Sequence, residues 1–130
     1  MQILPGSANL VGGRAVTLKN VPDRTVQDMK FPDAPYGMKM ACGENPKRVY
    51  GDRKQAPSTR MGNVAAYRSA WIKAQKYRDD LAAFERGDEG AKKPTRDLEM
   101  ETLAGALNGD IIVHMHCYRA HEMLTIFDMA

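Results

Sequence analysis

The chain has 130 residues and a mass of 14.5 kDa, the size of one compact domain, and its 43% hydrophobic and 27% charged residues exclude a collagen-like fibre, wholesale disorder and a disulfide-dense scaffold. A net charge of +3 and a pI near 8.9, with signs alternating along the chain, fall short of the clustered basic footprint of a nucleic-acid binder. Mean hydropathy is −0.50, and no apolar run approaches the ~18 residues of a membrane-spanning helix, since Ile111-Ile112-Val113 is stopped by His114. The N-terminus, Met-Gln-Ile-Leu-Pro-Gly, lacks the basic and apolar regions of a secretion signal, so a cytoplasmic location is the default expectation. Cys42 and Cys117 lie far apart and outside any CxxC or finger pattern; reduced thiols are the default, with one disulfide left open.

In chain order, Pro5 to Asn20 reads as glycine-rich turns around a short extended piece at Ala15-Val16-Thr17-Leu18. Val21 to Ala34 reads as a loop with one helical turn near Val26-Gln27-Asp28-Met29. Tyr36 to Gly43 alternates around Lys39 between glycines, the pattern of a short buried strand. The next residues, Gly43-Glu44-Asn45-Pro46-Lys47-Arg48, form either a pocket rim or a solvated turn. Ser58 or Thr59 caps a helix whose apolar residues Val64, Tyr67, Trp71, Ala74, Leu81 and Phe84 recur at helical spacing as far as Arg86. At ~1.5 Å per residue that helix is about 40 Å long, closer to an arm or insertion, so residues 58–95 are expected to be a helical insertion. A second helix starts at Asp97 and ends near Asn108-Gly109, a β-branched strand follows at Ile111 to His116, and a last helix runs from Arg119 onward. The expected fold class is α/β with parallel strands.

The densest chemistry is His114-Met115-His116-Cys117-Tyr118-Arg119, where a buried strand gives way to a loop. In parallel α/β folds, ligands collect at the carboxyl ends of strands. Residues two apart share a face, so His114 and His116 could bind one metal, although two imidazoles are too few for a closed site and periodicity alone favours satisfied core or loop histidines. Lys39 between two methionines is either an inward lysine, costly to bury unless paired or uncharged, or an outward one on a strand edge.

Taken together, Pro5-Gly6-Ser7-Ala8-Asn9-Leu10, Gly12-Gly13-Arg14, the run from Tyr36 through Gly43-Glu44-Asn45-Pro46-Lys47-Arg48-Val49-Tyr50-Gly51, Thr59-Arg60-Met61-Gly62 and Val113 to Arg119 resemble the middle of a metal-dependent amidohydrolase, in the branch grouped with imidazolonepropionase. The resemblance implies a (β/α)8 TIM barrel of which this chain is a partial segment with about three barrel strands. It implies one or two divalent metals, commonly zinc, and hydrolysis of a C–N bond in a small amide-type substrate, non-peptide or dipeptide. His116 resembles the histidine ligand on the fifth barrel strand, with His114 a secondary candidate. Lys39 resembles the fourth-strand lysine that some members carboxylate to bridge two metals. Glu44, Asn45, Tyr118 and Arg119 are the candidate substrate-binding residues, and His121 is left outside the metal set. The family's first-strand His-x-His pair, sixth-strand histidine and eighth-strand aspartate have no counterpart in this sequence. The chain is therefore expected to be a fragment, inactive alone, with barrel edges free to self-associate into a homo-oligomer and no nucleic-acid or membrane partner. The alternative expectation is a non-catalytic interaction or oligomerisation module that docks through the long Trp71 helix; nucleic-acid binding, resting on charge alone, comes third.

Overall fold

The structure is a computed structural model describing residues 1–129. The elements in chain order are β1 (Gln2–Ile3), β2 (Val11–Thr17), β3 (Tyr36–Ala41), α1 (Glu44–Asp52), α2 (Arg60–Arg86), α3 (Leu98–Leu107), β4 (Ile111–His116) and α4 (Ala120–Phe127). The strands form one sheet in the order β1-β2-β3-β4.

Only β3 and β4 are parallel, paired from Tyr36↔Ile111 to Ala41↔His116. The β1–β2 and β2–β3 pairs are antiparallel, the latter with an irregularity between Val11 and Gly13. The α/β class holds, and the expected parallel strands are limited to the β3–β4 pair in a mixed sheet. A parallel connection needs a crossover, usually helical. The segment between β2 and β3 offers only turns, including Met29 N–H to Thr25 O at 3.3 Å and a bridge pairing Leu18 with Lys30, so the chain turns back on itself. Between β3 and β4, by contrast, three helices carry the crossover.

Helix boundaries follow local chemistry. Thr59 caps α2 by accepting from Gly62 N–H at 3.0 Å, and Gly87 ends it in the left-handed conformation at φ 76°. Asp97 caps α3 by accepting from Glu99 and Met100 N–H at 2.9 and 3.1 Å. The stretch from Gly43 to Arg48 is helical rather than a solvated turn. Glu44 opens α1, and Pro46 fits its first turn because an N–H there has no intrahelical acceptor.

The main hydrophobic cluster lies on one face of the sheet. Met38 and Met40 of β3, with Leu10, Cys42 and Ile111, pack against Tyr67 and Ala74 of α2 and Leu103 of α3. The first half of helix α2 is part of the core, and none of its residues after Ala74 is buried. Trp71, half-buried, packs on that same core. The default of reduced thiols is also overturned. Cys42 and Cys117 extend the β3–β4 register by one residue, lie 5.2 Å apart between Cα atoms and are joined in a disulfide.

Candidate functional site

Strand alternation sorts the candidate residues. With Met38 and Met40 turned to the helices, Gly37, Lys39 and Ala41 face the other way, and the register sets Lys39 beside His114 and Ala41 beside His116. Lys39 is half-buried on this helix-free face of a strand flanked on both sides, so the strand-edge alternative for it is excluded. His114 lies over Gly37, where a Cβ would sit 2.7 Å from the imidazole Cδ2; only glycine admits the ring. Its Nε2 is 3.0 Å from Gln2 Nε2, a contact supplied by β1.

At the carboxyl ends of β3 and β4 the chain brings three separately chosen residues together. Asn45 Nδ2 lies 3.2 Å from His116 Nε2, Tyr118 Oη donates to Asn45 Oδ1 at 3.4 Å, and the rings of His116 and Tyr118 meet edge to face at 5.5 Å. With the amide oriented to accept from Tyr118, it donates to His116, which then carries its proton on Nδ1. Cys42 N–H donates to His116 O at 2.8 Å, fixing the strand ends to each other. Arg119 precedes α4 as its N-cap, with an exposed side chain; its carbonyl accepts from Glu122 and Met123 N–H.

Behind this cluster, Glu44 joins an ionic group that the sequence did not reveal. Arg60 Nη2 is 3.3 Å from Glu44 Oε2 and Arg60 Nε is 3.1 Å from Glu122 Oε1, while Lys47 Nζ is 3.2 Å from Glu44 Oε1. The Arg60–Glu122 contact is an ion pair without hydrogen-bond alignment, since neither atom has a directed partner. The Lys47 hydrogen bond, reinforced by the positive charges of Lys47 and Arg60, holds the Glu44 carboxyl below its ordinary pKa against a smaller opposing effect of desolvation. Arg60 and Glu122 border a cavity of about 290 Å³ whose wall also includes Cys42, Asn63, Tyr67 and His121. Asn63 donates to Gly43 O at 3.0 Å, and the Tyr67 hydroxyl donates to Ala41 O. Burial pushes the Tyr67 pKa well above its ordinary value, with the negative charge of Glu122 and the neighbouring Tyr50 adding to it. A larger hollow of about 740 Å³, between α2, the start of α3 and Val11, has none of the candidate residues in its wall.

The donors of this chain do not by themselves make a metal centre. Among the described residues no three His, Cys, Asp or Glu side chains are gathered as a metal site needs. Two imidazoles share a face, but each ring nitrogen that makes a side-chain contact meets an amide rather than a third ligand.

Comparisons with known proteins bear on this arrangement. No family model matches the chain. It is 38% identical over 141 residues to the amidohydrolase tasK of Hapsidospora irregularis, an alignment covering 97% of this chain and 14% of that protein. The backbone matches the crystal structure of an amidohydrolase from Thermotoga maritima MSB8 with a TM-score of 0.88 and 40% identity, covering 99% of this chain and 33% of that one. The chain is homologous to a segment of the amidohydrolases. Both the hairpin and the parallel β3–β4 unit of this amidohydrolase segment fall within the structural match, and the segment spans well under half the length of either relative.

Proposed function

We propose that this amidohydrolase segment forms part of a metal-dependent hydrolase of the imidazolonepropionase-related branch, acting on C–N bonds of small amide-type substrates. The observation that carries the reading is the placement of Lys39, His114 and His116 on the helix-free face of a parallel strand pair, with His116 at its carboxyl end beside Asn45 and Tyr118. In this reading β3 and β4 are neighbouring strands of a (β/α)8 barrel and their bare face lines its interior. His116, with His114 secondary and Lys39 as a carboxylated bridge, holds part of a divalent metal site, zinc by family resemblance. When bound, such a metal supplies an activated water and polarises the scissile carbonyl. The other ligands would come from the length of the relatives that this chain does not span, so the 130-residue chain alone is expected not to turn over substrate. Glu44, Asn45, Tyr118 and Arg119 line the substrate side. The outer edge of β4, where Ile112 is 49% exposed, meets the next barrel strand or, in the isolated chain, a second copy.

A chimera tests the reading. Replacing the matched segment of the Thermotoga amidohydrolase with this chain should give a protein that retains metal and hydrolyses an amide substrate of the parent, and His116→Ala should reduce both. Metal content and turnover unchanged by His116→Ala would refute the assignment, and robust turnover by the isolated chain with zinc or manganese would refute its incompleteness.

A further inference from the structure

Three helix N-termini converge at the ionic group behind the strand ends. Glu44 is the first residue of α1 and the neighbour of Asn45; Glu122 lies in the first turn of α4, directly after the segment from His116 to Arg119; Arg60 is the first residue of α2. The guanidinium contacts one carboxylate through Nη2 at 3.3 Å and the other through Nε at 3.1 Å. Glu122 is pressed into the structure, its side chain 11% exposed, with its carboxylate against Gly43: a Cβ there would lie 2.6 Å from Oε2. A carboxylate so enclosed needs a cation.

Helix stability does not account for that cation. An N-terminal turn favours acidic side chains and repels basic ones, and α2 has Arg60 at its first position with no acidic residue in that turn. A residue that breaks a local rule points to a gain elsewhere. Lys47 also meets Glu44, but both belong to α1, so that pair ties nothing together across the fold. Arginine suits the task because its planar fork offers separate nitrogens to two acceptors, which a single ammonium cannot do in the same geometry.

We propose that Arg60 is a positioning residue: by bridging Glu44 and Glu122 it sets the distance between the start of α1 and the segment leading from β4 into α4, across which Asn45 meets His116. The clamp acts through two short levers. Asn45 is adjacent to Glu44, and the chain leaving His116 reaches Glu122 through one loop and the opening of α4. Its catalytic importance rests on the hydrolase reading above, whereas the geometric coupling does not.

The test is the nuclear Overhauser contact between the Asn45 side-chain amide and the His116 ring in isotope-labelled protein. Arg60→Met should abolish it while the protein stays folded, Arg60→Lys should restore it in part, and Leu103→Ala, which loosens the core far from the clamp, should leave it intact. An undiminished contact in folded Arg60→Met overturns the proposal. Equal loss in folded Leu103→Ala does so too, because it would report general loosening. Should Arg60→Met not fold, Glu122→Gln carries the same readout: loss of the contact supports the clamp and retention overturns it. Because the readout is a distance rather than turnover, its failure is distinct from failure of the chimera test.

Discussion

Replacing Tyr67 with phenylalanine isolates the contribution of one hydroxyl. Tyr67 is 1% exposed and its hydroxyl donates to the carbonyl of Ala41, whose own N–H donates to Leu10 O at 3.2 Å. Phenylalanine keeps the ring packing but leaves a buried carbonyl without this donor, which costs about 1–3 kcal/mol. An unfolding entropy near 2.1 cal/mol/K per residue over 130 residues turns that into a Tm drop of about 4–11 °C. The pH dependence provides a second, independent signature. Burial first, then the charge of Glu122, raises the tyrosine pKa in the folded state above its ordinary 10.0. Above that pH the unfolded chain releases the proton while the folded chain keeps it, so the stabilising effect is complete below 10.0 and is lost progressively as pH rises beyond it. Thermal or urea denaturation of both proteins from neutral into alkaline pH should therefore show a gap that narrows above 10.0. A Tyr67→Phe protein melting with the wild type, or a gap constant throughout the alkaline limb, would refute the buried hydroxyl account.

Two further outcomes follow from the same geometry. The Cys42–Cys117 disulfide closes a separation of 75 residues, for which loop entropy gives a stabilisation of about 4.5 kcal/mol; protein purified without reductant should resist alkylation at both cysteines, gain two labels by intact mass after dithiothreitol, and melt lower when reduced. Two labels taken up before reduction would contradict the bond. Glu44→Gln should flatten the acid limb of stability: a carboxyl held below 4.5 stabilises the fold above that pH and loses this effect as pH falls through its folded value. A wild-type-minus-variant difference that stays the same from neutral to acid pH would remove Glu44 from the ionic group.

The helices that were legible carried their own punctuation. Thr59 and Gly87 bracket α2, Asp97 opens α3, and the β-branched Ile111-Ile112-Val113 begins β4, each a signal local to the element it marks. Helix α1 escaped because proline and glycine around Glu44-Asn45 suggest a turn; the available signal was an acidic residue followed by a first-turn proline, with Val49 and Tyr50 at helical spacing. The antiparallel hairpin escaped for another reason: strand direction depends on the path of the loop between Thr17 and Tyr36, which periodicity does not encode. Asn45, His116 and Tyr118 were each chosen on their own, yet only the parallel register of β3 and β4 explains why they meet. Arg60 and Glu122 are likewise distant in the chain, and no one-dimensional pattern joins a helix-opening arginine to a carboxylate on another helix.

The two faces of the β3–β4 pair differ in a way that packing alone does not require. Strands of a parallel sheet covered on both sides run almost continuously hydrophobic, because each face must be desolvated. Here the helix side obeys that rule with Met38, Met40, Val113 and Met115, and the opposite side presents Gly37, Lys39, Ala41, Ile112, His114 and His116. Half of those positions are ionisable, and two of the others are small enough to leave room above the backbone, as Gly37 does for the His114 ring. A sheet covered on that side and selected only for stability would place branched aliphatic side chains there, at about 1.5–3 kcal/mol for each one fully buried. If that face lines the proposed amidohydrolase site, forgoing the contribution at adjacent positions on two strands is the cost of keeping it open for chemistry.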